Sequence, residues 1–310
     1  MFRWNKICVA CSSGTSALHL ALLVLGVGAG DEVVIPSYVC SSPYFATLHA
    51  GATPIVADIN LSDYNLSAES VKGLLTNRTK AIIVPHMFGT AAEIDELLEL
   101  GISLIEDCAQ SIGAEYKGRQ VGNFGELSTF SFYATKMITT GEGGMVLTNN
   151  LDFYNKLVEF RDYSNKSLLP IKYNYKMTDL QAALGLSQLN KLPQFIERRK
   201  QIAYIYSNTF SNCDVELPTS QPQKKSVYFR YVVRTSERDW VQEEAKKKMV
   251  ICEKPVYQPL HDGLCLEGFK NCKIAKQQAL SIPIYPGLSE SEIEHVTRTL
   301  SDAFQHRSAP

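Results

Sequence analysis

The sequence predicts an α/β protein in which a mostly parallel sheet lies between helices. Apolar runs of strand length alternate with helical segments along the first part of the chain, the pattern of a parallel sheet covered on both faces. Polar residues follow two of these runs, Ile102–Ile105 and Leu127–Tyr133, where open sheets of this kind bind ligands. At 310 residues the chain is long enough for a large domain and a smaller C-terminal α+β domain, which we place at residues 1–205 and 206–310.

The composition indicates a soluble protein without a nucleic-acid or membrane partner. The 31 lysines and arginines and the 32 aspartates and glutamates leave a formal net charge of −1, so no broad field favours an anionic partner. The apolar run Leu18–Val27 is too short to span a bilayer, and no signal peptide precedes it. The eight cysteines are scattered, which indicates reduced thiols rather than a disulfide framework. We therefore expect a cytoplasmic location.

The elements before residue 101 follow from hydrophobic periodicity and turn residues. We predict strands at Ile7–Cys11, Val33–Ile35, Ala52–Ala57 and Ala81–Val84, and helices at Ala17–Leu25, Ser42–His49 and Glu93–Leu100. The turn Ser12–Ser16 opens the first helix, where free backbone N–H groups can hold an anion, although simple N-capping is favoured on these residues alone. Cys8 and Cys11 lie inside a strand without a second pair, so we expect core packing and no metal site.

Four chemically distinct side chains follow the two central strands. Asp107 and Gln110 come after the first strand, and Ser131 and Lys136 lie around the end of the second. Taken singly, Asp107 could cap a neighbouring helix and Lys136 could be a surface lysine. Together, a carboxylate, an amide, a hydroxyl and a lysine suit pyridoxal phosphate, which needs a Schiff-base lysine and an acidic partner for its ring nitrogen.

The remainder of the chain is predicted to be mainly helical, with one long strand. We place helices at Phe153–Tyr163, Leu180–Leu192, Gln194–Phe210, Asp239–Met249 and Glu290–Phe304, and a strand at Val227–Arg234. Pro193 is expected to close the helix that precedes it, because proline lacks the N–H of a helix interior. The helix Gln194–Phe210 is expected to bridge to the smaller domain.

Several separated motifs resemble one enzyme family. They are the Ser-Gly-Thr turn at Ser13–Thr15, the central segment Leu104–Asn149, the turn Pro85–Gly89, the segment Asn174–Asp179, the turn Tyr257–His261 and the closing segment Ser281–Leu288. The chain from about Cys11 to about Leu288 thereby resembles the DegT–StrS sugar-nucleotide aminotransferases, which belong to the fold-type-I, aspartate-aminotransferase-like pyridoxal-phosphate enzymes. The resemblance implies a seven-stranded, mostly parallel sheet in the large domain.

The resemblance also implies roles for individual residues around the cofactor. Lys136 matches the Schiff-base lysine, Asp107 the partner of the ring nitrogen, and Gln110 reaches the region of the phenolic oxygen. The phosphate contacts are expected at Thr15, Ser16 and Ser131. The position of the aromatic residue that stacks on the ring in the family falls on Cys40, so either Cys40 packs on the ring or Tyr38 or Tyr44 replaces the stack.

Further residues are implied at the substrate side and at a subunit interface. His86, Tyr257 and His261 match turns that border the substrate cleft, although His86 is more simply a hydrogen-bonded structural histidine. In the family an asparagine reaches the phosphate of the other subunit's cofactor, so Asn174 implies a homodimer with shared active sites. Lys176 stands where the family has an arginine, which keeps the charge but loses bidentate geometry.

The function that the resemblance implies is transfer of an amino group, with glutamate as the expected donor, to a nucleotide-linked keto sugar in surface-polysaccharide or amino-sugar biosynthesis. The alternatives are a non-catalytic binding or regulatory protein of the same fold and a pyridoxal-phosphate sugar dehydratase, although Lys136 argues against the dehydratase branch, which has histidine there. A nicotinamide dehydrogenase would need a glycine-rich turn that Ser12–Ser16 lacks. The resembling enzymes begin with a helix that Met1–Lys6 cannot supply, so we expect a short variant or a missing N-terminal arm.

Overall fold

The computed structural model describes residues 6–164 and 171–305, and the expectation about the N-terminal arm concerns residues 1–5, which lie outside this range. The strands are β1 (Ile7–Cys11), β2 (Glu32–Pro36), β3 (Thr53–Ala57), β4 (Thr79–Pro85), β5 (Ser103–Asp107), β6 (Glu115–Tyr116), β7 (Arg119–Gln120), β8 (Leu127–Ser131), β9 (Gly144–Thr148), β10 (Lys224–Lys225), β11 (Tyr231–Arg234) and β12 (Ala279–Ile282). The helices are α1 (Gly14–Val24), α2 (Ser42–His49), α3 (Ala68–Lys72), α4 (Ile94–Leu98), α5 (Leu151–Arg161), α6 (Asp179–Thr209), α7 (Arg238–Lys247), α8 (Leu260–Gly263), α9 (Lys270–Gln278) and α10 (Glu290–Gln305).

The predicted α/β architecture is confirmed by a seven-stranded sheet in the order β1-β9-β8-β5-β4-β2-β3. The neighbours β3, β2, β4, β5 and β8 pair in parallel, whereas β9 runs antiparallel to both β8 and β1. The sheet is therefore mostly parallel, as the sequence predicts, but β9 was not predicted as a strand. The prediction of a buried strand at Ile7–Cys11 is only partly right, because β1 is an edge strand whose Ile7 and Cys8 are exposed.

Four hydrophobic clusters fill the interior of the described residues, and the two largest lie mainly on either side of the predicted division of the chain. The larger cluster packs α1 and α2 against the sheet and includes the buried strand residues Val33, Ile35 and Ile105. A second cluster runs from Ile202 in α6 to Phe304 in α10 and contains β11 and β12, which form a separate antiparallel pair. The C-terminal segment also contributes Leu260 and Cys272 to the larger cluster, so the two parts share buried contacts.

Helix α6 contradicts the prediction of two helices separated at Pro193. It is one helix of 31 residues with Pro193 in its interior, and it begins with a capping box between Thr178 and Gln181. A proline inside a helix removes one backbone hydrogen bond, at a cost of about 3 kcal/mol. The second half of α6 packs Ile202 and Tyr206 into the C-terminal cluster, and such tertiary packing can outweigh the local cost.

The predicted strand Val227–Arg234 is correct only for its second half. Strand β11 begins at Tyr231, because the preceding residues bond to the turn after β4 instead of to a neighbouring strand. The Val227 N–H donates to the Gly89 carbonyl (3.0 Å), and the Arg230 N–H donates to the Phe88 carbonyl (3.3 Å). This connection carries residues of the C-terminal part to the edge of the main sheet.

No helix within residues 6–164 and 171–305 combines the length and apolar character that a membrane crossing requires.

Candidate active site

The ends of several strands bring the predicted site residues to one edge of the main sheet. Because β2, β4, β5 and β8 are parallel, their carboxyl ends lie at the same edge. Asp107 ends β5 and lies opposite Thr129, while Ser131 ends β8 and lies opposite Gly144. Gly144 also pairs with Cys11 at the end of β1, so the turn that follows Cys11 starts at the same edge.

A cluster of hydroxyl groups surrounds the start of α1. Ser13 caps the helix, and its Oγ accepts a hydrogen bond from the Ser16 N–H (3.0 Å). The Ser16 hydroxyl lies 3.0 Å from that of Ser12, and the Thr15 hydroxyl lies 2.6 Å from that of Ser42. We call the group Ser12, Ser13, Thr15, Ser16 and Ser131 the hydroxyl cradle. Hydroxyl donors at the positive end of a helix dipole form a site for an anion such as phosphate.

Gly14 lets Ser131 approach the start of α1. A Cβ atom at position 14 would lie 2.7 Å from Ser131 Cβ and 3.0 Å from Ser131 Oγ, closer than side-chain carbons pack. The absence of a side chain at Gly14 is therefore required for Ser131 to join the cradle. Thr15, Ser16 and Ser131, which the sequence analysis predicts as phosphate contacts, all lie around the start of α1.

Asp107 is a buried carboxylate at the end of β5. Its side chain is almost fully buried, and Oδ1 accepts a hydrogen bond from the Ala109 N–H (3.0 Å). Burial raises the pKa of Asp107, whereas that hydrogen bond and the charges of Lys136 and His86 act in the opposite direction. A cation placed against this carboxylate would hold it ionised, which is the behaviour expected of a partner for a protonated ring nitrogen.

Lys136 lies in the turn that follows β8 and is half-buried. Its Nζ atom lies 5.5 Å from the centroid of the Phe229 ring, and the structure gives it no hydrogen-bond or ion-pair partner among residues 6–164 and 171–305. The charge of Lys136 acts on both Asp107 and Cys40, which places the three groups around one space. An amine without a fixed partner is available for chemistry.

Gln110 and Cys40 complete the predicted contacts around the cofactor. The Gln110 Oε1 atom accepts a hydrogen bond from the Phe88 N–H (3.0 Å), which ties the segment after β5 to the turn after β4. Cys40 is solvent-accessible, and both Asp107 and Lys136 act on its thiol. Tyr38 is buried elsewhere, because its hydroxyl donates to the Ala275 carbonyl (3.3 Å) and its ring stacks on Tyr64. Of Cys40 and Tyr38, only Cys40 interacts electrostatically with Asp107 and Lys136, and Tyr44 remains the third alternative for the predicted ring contact.

His86 is a buried structural histidine, as one of the two interpretations of the sequence proposed. The Ala92 N–H donates to Nδ1 (3.2 Å), so the ring proton belongs on Nε2, which donates to Glu106 Oε2 (3.2 Å). Glu106 also accepts the N–H groups of Gly122, Phe124 and Gly125 at 2.6 to 2.7 Å. His86, Glu106 and Cys108 lie close enough together to hold a metal ion. However, His86 Nδ1 and both carboxylate oxygens of Glu106 already accept hydrogen bonds from the protein.

Tyr257 and His261, the other predicted substrate contacts, have contrasting surroundings. Tyr257 is 85% exposed, so its side chain is free to contact a bound molecule. His261 is buried, lies 2.7 Å through Nδ1 from the Ser37 hydroxyl and stacks on Phe269. Burial lowers the pKa of His261. These contacts attach the turn at residues 257–261 to the end of β2, so His261 positions the turn that carries Tyr257.

Asn174 lies outside this group, on the surface of the protein. It pairs with Asp162 in an isolated bridge, and its side chain is exposed. Lys176 forms an ion pair with Asp162 (2.7 Å) and lies over the Tyr163 ring. That contact holds the pKa of Asp162 well below its usual range. The lysine at position 176 therefore organises this loop through a single carboxylate contact.

Sequence reasoning missed two features of the site. Glu106 precedes Asp107 on β5, and alternation along a strand turns the two carboxylates to opposite faces of the sheet, which could have suggested a structural role. Phe229 and Arg230 reach the neighbourhood of Lys136 from the C-terminal part of the chain. No local pattern around residue 229 signals that contact.

Comparisons with known proteins agree with this geometry. The family profile of the DegT/DnrJ/EryC1/StrS aminotransferases matches residues 2–301. The GDP-perosamine synthase of Escherichia coli O157:H7 is 34% identical over 96% of this chain and 85% of its own length. Among solved structures, DesV of S. venezuelae aligns with a TM-score of 0.92 and 27% identity, covering 97% of this chain and 85% of DesV.

A second similar structure was solved in its PLP form. Spr1654 of Streptococcus pneumoniae, in its PLP form, aligns with a TM-score of 0.88 and 25% identity, covering 95% of this chain and 86% of Spr1654. The overall architecture of the chain is accordingly that of the fold-type-I aminotransferases.

Proposed function

The chain belongs to the DegT/DnrJ/EryC1/StrS aminotransferase family, and we propose that it moves an amino group from an amino acid to a nucleotide-linked keto sugar. The family consists of transaminases that depend on pyridoxal phosphate. The observation that carries the proposal is the convergence of Lys136, Asp107 and the hydroxyl cradle at one edge of the sheet. A cation-accepting carboxylate, a free amine and an anion site are the three features that the cofactor needs.

The residues present fit pyridoxal phosphate. The hydroxyl cradle and the N–H groups of the first turn of α1 would hold its phosphate, and Gly14 gives Ser131 the space to take part. Asp107 would face the ring nitrogen, Gln110 the phenolic oxygen and Cys40 the ring. When bound, the cofactor supplies an aldehyde that carries the amino group and a ring that accepts electron density.

The side chains of this protein then have separate tasks. Lys136 would hold the cofactor through Nζ and, as a free amine, would accept and return a proton at Nζ, since it has no competing ion pair among the described residues. Asp107 would stay ionised against a protonated ring nitrogen and would stabilise that cation. The cradle keeps the phosphate end in place, so that Lys136 meets the reacting carbon in one geometry.

The substrates are proposed from the family and its relatives. The relative from Escherichia coli is named for a GDP-linked sugar, which supports a nucleotide-linked keto sugar as the acceptor. We propose glutamate as the donor and amino-sugar or surface-polysaccharide biosynthesis as the setting. The exposed Tyr257, held by His261 and Ser37, would border the sugar.

A homodimer with shared sites is part of the proposal. The first half of α6 is exposed along most of its length, including Leu180 (86% exposed) and Leu186 (68% exposed). Asn174 lies just before this helix on the surface, from which it could reach the cofactor phosphate of a second copy. Leucines this exposed support burial against a partner.

We also propose a division between two domains at residues 205/206, supported by the separate cluster that runs from Ile202 to Phe304. A cytoplasmic location is proposed as well, supported by the eight free cysteines.

The experiment that tests this function follows the two half-reactions separately. Purified protein is mixed with pyridoxal phosphate, and its visible absorption is recorded before and after addition of L-glutamate. Glutamate is expected to abolish the absorption of the lysine-bound cofactor, and a nucleotide-linked keto sugar is expected to restore it. A protein that binds the cofactor but responds to no amino donor would contradict the proposal and favour the non-catalytic alternative.

A further inference from the structure

A cavity of about 310 Å³ opens beside the turn that carries Lys136. Thr135, the neighbour of Lys136, lines it together with Phe229, Arg230, Arg199, Glu253 and Tyr285. Its walls come from α6, from the connection that precedes β11 and from the segment around β12, so it lies beside the C-terminal cluster. None of these residues takes part in the proposed contacts to the cofactor.

Arg230 lies on the same aromatic ring as Lys136. The Lys136 Nζ atom is 5.5 Å from the Phe229 centroid, and the Arg230 Cζ atom is 5.8 Å from it. Arg230 donates one hydrogen bond, to the Ser281 hydroxyl (3.2 Å). Glu253 attracts the guanidinium from a distance, but no carboxylate in residues 6–164 and 171–305 forms an ion pair with it. The guanidinium is half-buried and keeps most of its donors available.

Arg199 adds a second guanidinium whose charge is not neutralised. It is 6% exposed, and Nη1 donates to the carbonyls of Tyr228 (3.2 Å), Phe229 (3.1 Å) and Ile284 (2.8 Å). Its Nε atom has no hydrogen-bond partner among the described residues, nor does the side chain pair with a carboxylate there. Burial lowers the pKa of Arg199 to about 10, so the side chain remains charged at neutral pH.

Two buried or half-buried cations with one distant carboxylate leave an excess of positive charge in this cavity. A buried charge without a partner is costly, and structures keep such groups where a ligand supplies the opposite charge. The planar guanidinium of Arg230 matches a carboxylate in two-point geometry. The cavity therefore has the positive charge and, at Arg230, the paired donors of a carboxylate site.

We propose that this cavity binds a carboxylate of the amino donor, with Arg230 in direct contact and Arg199 as a positioning residue. The inference rests on the proposed function and names the donor as a carboxylate-bearing amino acid. In an amino-acid donor, the carboxylate is within a few bonds of the carbon that gives up the amine. This short separation suits a carboxylate at Arg230 and a reacting carbon at Lys136, since both side chains lie over the Phe229 ring. The phosphates of a nucleotide-linked sugar are separated from the keto carbon by the sugar ring and lie further from Lys136.

The test compares Arg230→Gln and Arg230→Lys with the surface variant Arg298→Gln. The rate of reaction of the cofactor-loaded protein with L-glutamate is measured in one arm, and its reaction with the aminated nucleotide sugar in the reverse direction in the other. Arg230→Gln is expected to raise the glutamate concentration that gives half the maximal rate by about 10- to 100-fold, and Arg230→Lys is expected to show a smaller increase. The reverse reaction and Arg298→Gln are expected to change less than about threefold.

A binding measurement separates this inference from the proposed function. Calorimetry with succinate, a dicarboxylate that has no amine, should give weaker binding to Arg230→Gln than to the wild-type protein even if no amino transfer occurs. A loss confined to the nucleotide-sugar arm would assign the cavity to a phosphate and overturn the inference. Unchanged glutamate saturation and unchanged succinate binding would also overturn it, whereas failure of the wild-type protein with every donor would overturn the proposed function instead.

Discussion

The His86 Nε2 atom lies 3.2 Å from Glu106 Oε2, and both side chains are completely buried directly behind Asp107. Glu106 also accepts three backbone N–H groups from the loop at residues 122–125. This carboxylate therefore fixes the turn after β4 and the loop before β8, while its neighbour Asp107 faces the candidate active site.

Replacing Glu106 by Gln should destabilise the protein by about 2–4 kcal/mol, because four donors lose a charged acceptor in a buried site. Burial alone would raise the pKa of Glu106, but the hydrogen bonds from His86 and the loop lower it below 4.5. The stabilisation is thus present above about pH 4.5 and is lost as the pH falls through the lowered value. Urea unfolding at several pH values checks this.

The control for Glu106→Gln is the surface variant Glu267→Gln, because the Glu267 side chain is 92% exposed. This control should change the free energy of unfolding by less than about 0.5 kcal/mol. Equal destabilisation of Glu106→Gln at neutral and strongly acid pH would refute the role of the charge.

Replacing Lys136 by Ala should leave the fold intact and reduce amino transfer at least about 1,000-fold, because no other described amine occupies the turn after β8. The absorption of the lysine-bound cofactor should disappear at the same time. Lys80→Ala, at an exposed position of β4, should retain both the absorption and the activity. Normal absorption of the Lys136→Ala protein would show that a different lysine is used.

Replacing Asp107 by Asn should stabilise the cofactor-free protein at neutral pH while slowing amino transfer about 100-fold or more. Burial raises the pKa of Asp107 above 3.8, so its ionised form costs stability once the pH exceeds the raised value. The asparagine retains an acceptor for the Ala109 N–H. Thermal unfolding of both proteins between about pH 4, near the ordinary pKa of a carboxyl group, and about pH 8 measures the effect. The stability of the Asn variant relative to the wild-type protein should increase with pH.

A lower unfolding temperature of the Asn variant at neutral pH would contradict this account of Asp107.

Gly14→Ala should weaken binding of pyridoxal phosphate and destabilise the protein by about 1–3 kcal/mol, because the new Cβ would meet Ser131 Cβ at 2.7 Å. Gly28→Ala is the matched control, since no atom lies within 4 Å of a Cβ at that position. Fluorescence titration with the cofactor and urea unfolding measure the two effects. Equal behaviour of the two variants would mean that the approach of Ser131 to α1 is not required.

Leu186→Glu should dissociate the proposed homodimer, because a charge on the exposed face of α6 is costly to bury. Met249→Glu, at a position that is 83% exposed in the C-terminal part of the chain, is the control and should leave the dimer intact. Sedimentation velocity gives the mass of each protein. A wild-type protein that sediments as a monomer at every concentration would exclude shared sites.

Much of the candidate site could be predicted from the sequence because its residues follow strands directly. Asp107 ends β5 and Ser131 ends β8, and parallel strands place such positions at a common edge. The turn Ser12–Ser16 was predicted from small polar residues, although α1 begins at Gly14 with Ser13 as its N-cap, three residues before the predicted start at Ala17. The prediction failed at α6, where long-range packing of Ile202 and Tyr206 accompanies a helix that continues through Pro193.

The sequence by itself determined the alternation of strands and helices, the family and the lysine, carboxylate and hydroxyl groups of the site, because these depend on local periodicity and short motifs. Only the tertiary structure decided that β9 runs antiparallel, that His86 and Glu106 form a buried support, and that Phe229 and Arg230 reach Lys136. Those features join segments that are distant in the chain, and their positions follow from packing and from the pairing of buried polar groups, which no local pattern encodes.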